Sequence, residues 1–312
     1  MTKIGIVGTG LIGRAWAGVF ARSGHEVHLW DADREALARA PELIKQALAD
    51  HAQYGRVDDP DAASGRIHRA MSLDDAVGSA ALVQESGPER VDLKIELFAE
   101  MDRAAGPQTI LASSSSAIVA SRFTETLPGR ARCLIGHPVN PPHVVPIVEI
   151  CGAPWTDPDV VVRARGIYEA AGQVAIEVRK EIDGFILNRM QAVLLAEAFR
   201  LISEGYVSAA DLDRTIKDGL GRRWAFMGPI ETIELNAPQG IADYGARYGE
   251  TLYSLAKEPV TRDLFSEETL KAVAESWGET PDADTVARKS VWRDDRLAAL
   301  DAHLRSAKPP PA

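Results

Sequence analysis

The chain has 312 residues, 46% of them hydrophobic and 26% charged, with a formal net charge of −10. That is enough apolar material for one or two cores, and the charge balance disfavours non-specific nucleic-acid binding. No apolar run approaches the roughly 20 residues that span a bilayer, and Met1-Thr2-Lys3 leads straight into a strand-like segment, so a cytoplasmic protein without membrane association is expected.

The first element is an apolar strand, Ile4 to Val7, which turns at Gly8-Thr9-Gly10. A helix is predicted to follow, because Leu11, Ile12, Ala15, Trp16, Val19 and Phe20 recur at helical spacing. A second strand, Val27 to Trp30, ends at Asp31. Gly8, Gly10 and Gly13 match GxGxxG. In that motif the first glycine permits a tight turn, the second lets the backbone approach a pyrophosphate, and the third lets helix and strand pack closely. Strand, glycine turn, helix, second strand and an acid about 20 residues on occur in the order of a dinucleotide site. Asp31 is placed to accept from both hydroxyls of an adenosine ribose and would repel a 2′-phosphate, which favours NAD over NADP.

Further strands are predicted at Ala81 to Gln84, Thr109 to Ala112, Arg132 to Ile135, Val144 to Ile150 and Val174 to Glu177, with helical patterns between most of them. Such alternation implies a Rossmann-type, doubly wound α/β domain with a mostly parallel sheet, whose ligands bind beyond the carboxyl ends of the strands. Glu85 to Glu89, Ser113 to Ser116 and His137 all fall at such ends. The two cysteines, Cys133 and Cys151, lie in or beside strand-like segments and read as packed thiols, with no zinc site implied. From about Asp183 the pattern becomes helical, so the expected organisation is a nucleotide-binding domain over 1–181 and an all-helical domain over 182–312.

Within HPVNPPHVVPIVEI, residues 137–150, Glu149 sits among Val148, Ile150 and Ile147. An unpaired buried carboxylate costs several kcal/mol, so a partner is required, and His137 on the preceding strand is the candidate. A histidine near neutral pKa suits removal of a hydroxyl proton during hydride transfer, and a carboxylate beside it fixes the tautomer and stabilises the imidazolium. Asn188 shares a helix face with Ala192, Leu195 and Phe199, positions expected in a core, so its amide needs a polar partner, either a substrate oxygen or a neighbouring backbone group. Ser116 lies in the converging loops, where a cap or turn role is the simpler alternative.

The spacing Ser116, His137, Glu149, Asn188, with GPERVDLKIELF at 87–98 and GFILNR at 184–189, resembles the 3-hydroxyacyl-CoA dehydrogenase superfamily over nearly the whole chain. HPVNPP at 137–142, KEIDGFILNR at 180–189, GLGRRWAFMGPIETIELNA at 219–237 and VWRDDRL at 291–297 resemble its lambda-crystallin branch, which implies L-gulonate 3-dehydrogenase activity. The resemblance implies His137 as catalytic base, Glu149 as its partner, and Ser116 and Asn188 as residues orienting the hydroxyl. It also implies Leu11, Ile12, Asp31, Glu89 and Lys94 as NAD-site positions, although Lys94 alone would read as a solvated helix residue. Homodimers built on the helical domain are implied as well.

A CoA thioester needs a basic landing surface, yet the excursion LIKQALADHAQYGRVDDPDAASGR, 43–66, carries Asp50, Asp58, Asp59 and Asp61. A small free hydroxy acid is therefore expected, with Arg223 as a ligand for its carboxylate, in its own or the partner's site. The alternatives are a 3-hydroxybutyryl-CoA dehydrogenase, a carnitine dehydrogenase in which Trp224 and Phe226 help cage the ammonium, and a dinucleotide-sensing module without turnover.

Overall fold

The computed structural model describes residues 2–256, 259–278 and 282–306. Eight strands form one sheet in the order β3-β2-β1-β4-β5-β6-β7-β8: β1 Lys3–Val7, β2 Glu26–Trp30, β3 Ile67–Arg69, β4 Leu82–Glu85, β5 Ile110–Ser113, β6 Cys133–Pro138, β7 Ile147–Gly152 and β8 Val174–Glu177. All neighbouring pairs are parallel except β6 with β7. Those two are joined by residues 139–146, too few for the dozen or more that a crossover requires, so the chain must turn back on itself.

The sheet is the Rossmann-type domain that the sequence predicts, and after β8 every element among the described residues is helical. Two details differ from expectation. The strand β3 has no predicted counterpart: it is three residues long, pairs only with β2, and leaves His68 and Arg69 exposed, so it lacks the apolar run that marks an inner strand. Val144 and Val145, placed in a strand by their branched side chains, instead belong to a turn whose N–H groups both donate to the carbonyl of Pro141.

Core formation follows the apolar periodicity. In the Leu11–Arg22 helix Trp16, Ala17, Val19 and Phe20 are buried, and Trp16 meets Phe20 and Tyr168 with ring centroids 5.4 Å apart in each case. Leu11, at the start of that stripe, is 61% exposed. Gly13 is forced by proximity: a Cβ there would lie 1.9 Å from the carbonyl oxygen of Gly8.

Two compact units divide the chain, Met1–Asn188 together with Lys289–Ala312, and Arg189–Arg288. The end of the Ala283–Ser306 helix joins the first unit through Arg305, which donates to the carbonyls of Tyr54 and Gly55, and Asp301, paired with Arg56. In the Leu187–Ser203 helix the expectation of a core face on Asn188, Ala192 and Leu195 is overturned. Ala192 and Leu195 are exposed, Asn188 is half-buried, and Ala196 and Ala198 are the buried positions. In the 43–66 excursion Asp59 caps the Pro60–Ser64 helix, and Arg56 turns inward to the carbonyls of His143 and Val144.

Gly13→Ala should lower stability by about 1–3 kcal/mol, the usual cost of forcing atoms into a packed site. Denaturant melts measure this, and an unchanged midpoint would show that helix and strand separate easily.

Candidate active site

Three strand ends and one helix start build the site. In the β6/β7 pairing His137 lies directly opposite Glu149, with Pro138 opposite Val148. The side chains meet across the ladder, His137 Nδ1 lying 2.9 Å from Glu149 Oε2, and are 5% and 2% exposed as residues. The other oxygen, Oε1, accepts the backbone N–H groups of Ile186 at 2.9 Å and Leu187 at 3.1 Å. These belong to the start of the Leu187–Ser203 helix, where the macrodipole favours a negative charge. Burial pushes the Glu149 carboxyl up, but the bond from His137 and the two N–H groups outweigh it and hold the group below its ordinary value.

Asn188, the next residue, donates from Nδ2 to the carbonyl oxygen of Ser116, 3.0 Å away. Ser116 is exposed on the loop after β5. The structure therefore brings Ser116 and Asn188 together, and ties His137, Glu149 and the start of the Asn188 helix into one hydrogen-bonded set. Phe185, which sequence reasoning missed, packs its ring against His137 with centroids 5.3 Å apart. Its backbone has φ +49°, unusual for a bulky residue, and it is fully buried. The signal was present only as an aromatic after Asp183-Gly184.

At the nucleotide end, Gly8 has φ +97°, and a Cβ there would meet the Ser86 carbonyl oxygen at 2.7 Å. Gly10 caps the Leu11–Arg22 helix without a side-chain hydrogen bond, and apart from its chain neighbours no atom stands within 4 Å of where its Cβ would be. A pyrophosphate fits such an uncapped helix start, with Gly10, Leu11 and Ile12 around it. Asp31 is half-buried at the end of β2, its Oδ2 accepting from Thr9 N at 2.6 Å and Thr9 Oγ1 at 2.9 Å, and its Oδ1 from Asp33 N. It fastens the glycine turn while retaining acceptor capacity for ribose hydroxyls.

Lys94 is not a solvated helix residue: it is 2% exposed and bonds both oxygens of Glu85, itself fully buried, at 3.0 and 2.9 Å, and Ser113 Oγ at 3.3 Å. Glu89 Oε1 accepts from Ser115 Oγ and from the backbone N–H groups of Ser116, Ala117 and Ile118. Burial raises its pKa, but the Ser115 and backbone bonds, with Lys94 nearby, bring it below its ordinary value. Arg223 lies exposed in the Gly221–Trp224 helix of the second unit, directly after a π-helical stretch, Thr215–Leu220. Among the described residues no cluster of histidine, cysteine or carboxylate groups could hold a metal ion, and no helix is long and apolar enough to cross a membrane.

The sequence matches "3-hydroxyacyl-CoA dehydrogenase, NAD binding domain" over residues 3–182 and "3-hydroxyacyl-CoA dehydrogenase, C-terminal domain" over residues 184–276. The chain belongs to the 3-hydroxyacyl-CoA dehydrogenase family of NAD-dependent oxidoreductases. It is similar to lambda-crystallin of Oryctolagus cuniculus, 37% identical over 309 residues that cover 97% of each chain. It is also similar to L-carnitine dehydrogenase of Pseudomonas putida, 33% identical over 97% of this chain and 94% of that one. Among solved structures, (S)-3-hydroxybutyryl-CoA dehydrogenase from Ralstonia eutropha superposes with a TM-score of 0.67 at 25% identity, over 83% of this chain and 89% of that one. A 5-formyl-3-hydroxy-2-methylpyridine 4-carboxylic acid 5-dehydrogenase, described as an NAD+-dependent dismutase, shares the fold with a TM-score of 0.83 at 24% identity, over 99% of this chain and 100% of that one.

Because the Glu149 carboxyl has a lower pKa folded than its ordinary 4.5, the unfolded chain binds the extra proton between those two values. The contribution to stability is then complete above 4.5 and lost as pH falls through the folded value. Denaturation of wild type and Glu149→Gln across acid pH should show a difference that is constant above that range and shrinks below it. A pH-independent difference would contradict the assignment.

Proposed function

We propose that the protein oxidises the 3-hydroxyl of a small free hydroxy acid with NAD, L-gulonate to 3-dehydro-L-gulonate being the preferred reaction. The observation carrying this reading is the buried His137–Glu149 pair beside Ser116 and Asn188. With Nδ1–H donated to Glu149, the imidazole keeps the lone pair on Nε2 for the substrate hydroxyl proton. Glu149, ionised at neutral pH, stabilises the imidazolium that results. Ser116 Oγ and the Asn188 amide orient the hydroxyl so that its proton faces Nε2 and its carbon faces the cofactor. NAD, when held by Gly8 to Gly13 and Asp31, supplies the acceptor for the hydride leaving that carbon.

For the substrate, two observations favour a free acid. Asp58, Asp59 and Asp61 are exposed on the excursion after β2, and Arg56, which could have met a phosphate there, is buried against Asp301. Exposed Arg223 is the candidate carboxylate ligand. The likeness to lambda-crystallin supports L-gulonate. Carnitine is the second reading, favoured by the likeness to an L-carnitine dehydrogenase and by Trp224 and Phe226, both exposed beside Arg223.

The same reading makes the protein a homodimer through its helical unit and places it in the cytoplasm. The 17-residue Gly240–Ala256 helix buries none of its residues, although Ile241, Tyr248, Leu252, Tyr253 and Leu255 are all at least 45% exposed; a second copy is the occupant that such an apolar surface favours. Buried free thiols at Cys133 and Cys151 suit a reducing compartment.

NAD reduction followed with L-gulonate, L-carnitine, 3-hydroxybutyrate and 3-hydroxybutyryl-CoA in parallel tests the substrate. L-Gulonate should give the highest kcat/KM, and Arg223→Leu should raise its KM about tenfold or more, the worth of a charge-assisted pair. Preference for the thioester would overturn the free-acid reading. His137→Asn should lower kcat by about 10²–10⁴ while remaining folded, and wild-type turnover in that variant would remove His137 from the mechanism. Sedimentation equilibrium should give twice the 33.7 kDa chain mass, and a monomer at micromolar concentration would refute the dimer.

A further inference from the structure

We infer that Gln84 is a positioning residue for His137: with Tyr168 behind it, its amide holds the carbonyl of Gly136 and so fixes the end of the strand that carries the base. This rests on the role of His137 given above. Gln84, on β4, is fully buried, and both ends of its amide are engaged. Nε2 donates to the Gly136 carbonyl at 3.1 Å and to Ser114 Oγ at 2.7 Å, and Oε1 accepts the hydroxyl of Tyr168. The partners settle which way the amide points, since a carbonyl can only accept and must face the NH2 end. Ser114 Oγ in turn meets Ser86 Oγ at 2.9 Å, so the same amide also reaches the segments that follow β4 and β5.

Gly136 needs this bond because of its place in the sheet. Strand β5 ends at Ser113, whose neighbour is Ile135, so Gly136 stands one residue beyond that ladder. On its other side it lies opposite Ile150, whose carbonyl is turned away to the N–H of Val178; the polar groups of a pair so placed point outward, not at each other. Gln84 supplies the missing donor from across β5, where the residue opposite it is the small Ala112. The absence of a side chain at Gly136 leaves room for the bridge: a Cβ there would collide with the Tyr168 hydroxyl and lie 3.3 Å from Gln84 Oε1. Tyr168 is fully buried on the Pro158–Ala170 helix, and burial pushes its phenol pKa up, so it stays a donor. Replacing buried hydrogen-bonded partners by apolar groups of like shape is often nearly neutral. No apolar side chain, however, could satisfy the carbonyl next to His137.

The test compares Gln84→Met, Tyr168→Phe, the double variant and, as a control, Trp16→Phe, which thins the core against Tyr168 without touching the bridge. In Gln84→Met kcat should fall about tenfold to a hundredfold, the cost of a small misplacement, while KM for NAD and for the hydroxy acid stays within about twofold. The downfield proton resonance of the His137 Nδ1–H, sharp where Glu149 holds it, should broaden in the same variant. Tyr168→Phe should show both effects to a smaller degree, and the double variant should lose little more than Gln84→Met alone, as expected of residues acting as one unit. Trp16→Phe should lower the melting temperature and leave kcat unchanged. Near-wild-type kcat in folded Gln84→Met, a fall in kcat with the His137 resonance unaltered, or an equal loss in Trp16→Phe would each overturn the inference. If Gln84→Met does not fold, Tyr168→Phe carries the test by the same criteria. Wild-type turnover in His137→Asn would remove the base itself, whereas intact turnover in Gln84→Met alone removes only the positioning role.

Discussion

The Glu149 carboxylate is where the architecture converges. One oxygen holds the imidazole of His137 across a strand ladder, and the other holds two N–H groups at the start of the helix that carries Asn188. A carboxylate this deeply buried is tolerated only when nearly every lone pair is used. The antiparallel β6/β7 register meets part of that requirement by setting position 149 opposite position 137. The left-handed backbone at Phe185 serves the rest. The chain has to turn sharply after Ile182 to bring the N–H groups of Ile186 and Leu187 onto one oxygen, and the strain is offset by burying the phenyl ring against His137.

A second pair of acidic groups repeats the same logic at the neighbouring strand ends. Glu85 closes β4 and is neutralised by Lys94, and Glu89 binds the turn after β5. Breaking a buried pair such as Glu85–Lys94 strands one charge, typically at a cost of about 3–5 kcal/mol, whereas replacing both partners by apolar groups often costs little. A purely structural need would therefore not require ions here. The pair has a further effect, since Lys94 places positive charge 4.0 Å from Glu89 and helps hold that carboxyl below its ordinary value.

The nucleotide half was legible in the sequence because its signals are local. GxGxxG, the strand periodicity and Asp31 each depend on neighbours within about 30 residues, and the parallel sheet follows from their alternation. His137 with Glu149 was legible for a different reason: a carboxylate in an apolar run demands a partner, and few candidates stood near. What escaped was non-local or energetically silent. Lys94 reads as a surface residue because nothing within its own helix shows that Glu85, on a strand, will bury it. The short edge strand β3 has no apolar run to announce it. Asn188 was predicted on a core-facing stripe, but Ala192 and Leu195 prove exposed, since helical periodicity marks an apolar face without saying whether the same chain covers it.

The groups assigned to chemistry all lie in the unit that contains Met1–Asn188, whereas Arg223, Trp224 and Phe226 lie in Arg189–Arg288. The first set is cross-braced by hydrogen bonds, so a substitution at one member disturbs the others. The second set is exposed, and Trp224 and Phe226 make no ring contact among the described residues. Side chains with few partners change cheaply, while a satisfied buried network does not. On the proposed reading, exchanging one hydroxy substrate for another alters the exposed side chains of the second unit and leaves proton transfer untouched. Relatives with different names still align with this chain over almost its full length, as expected where a satisfied buried network is kept while exposed side chains vary.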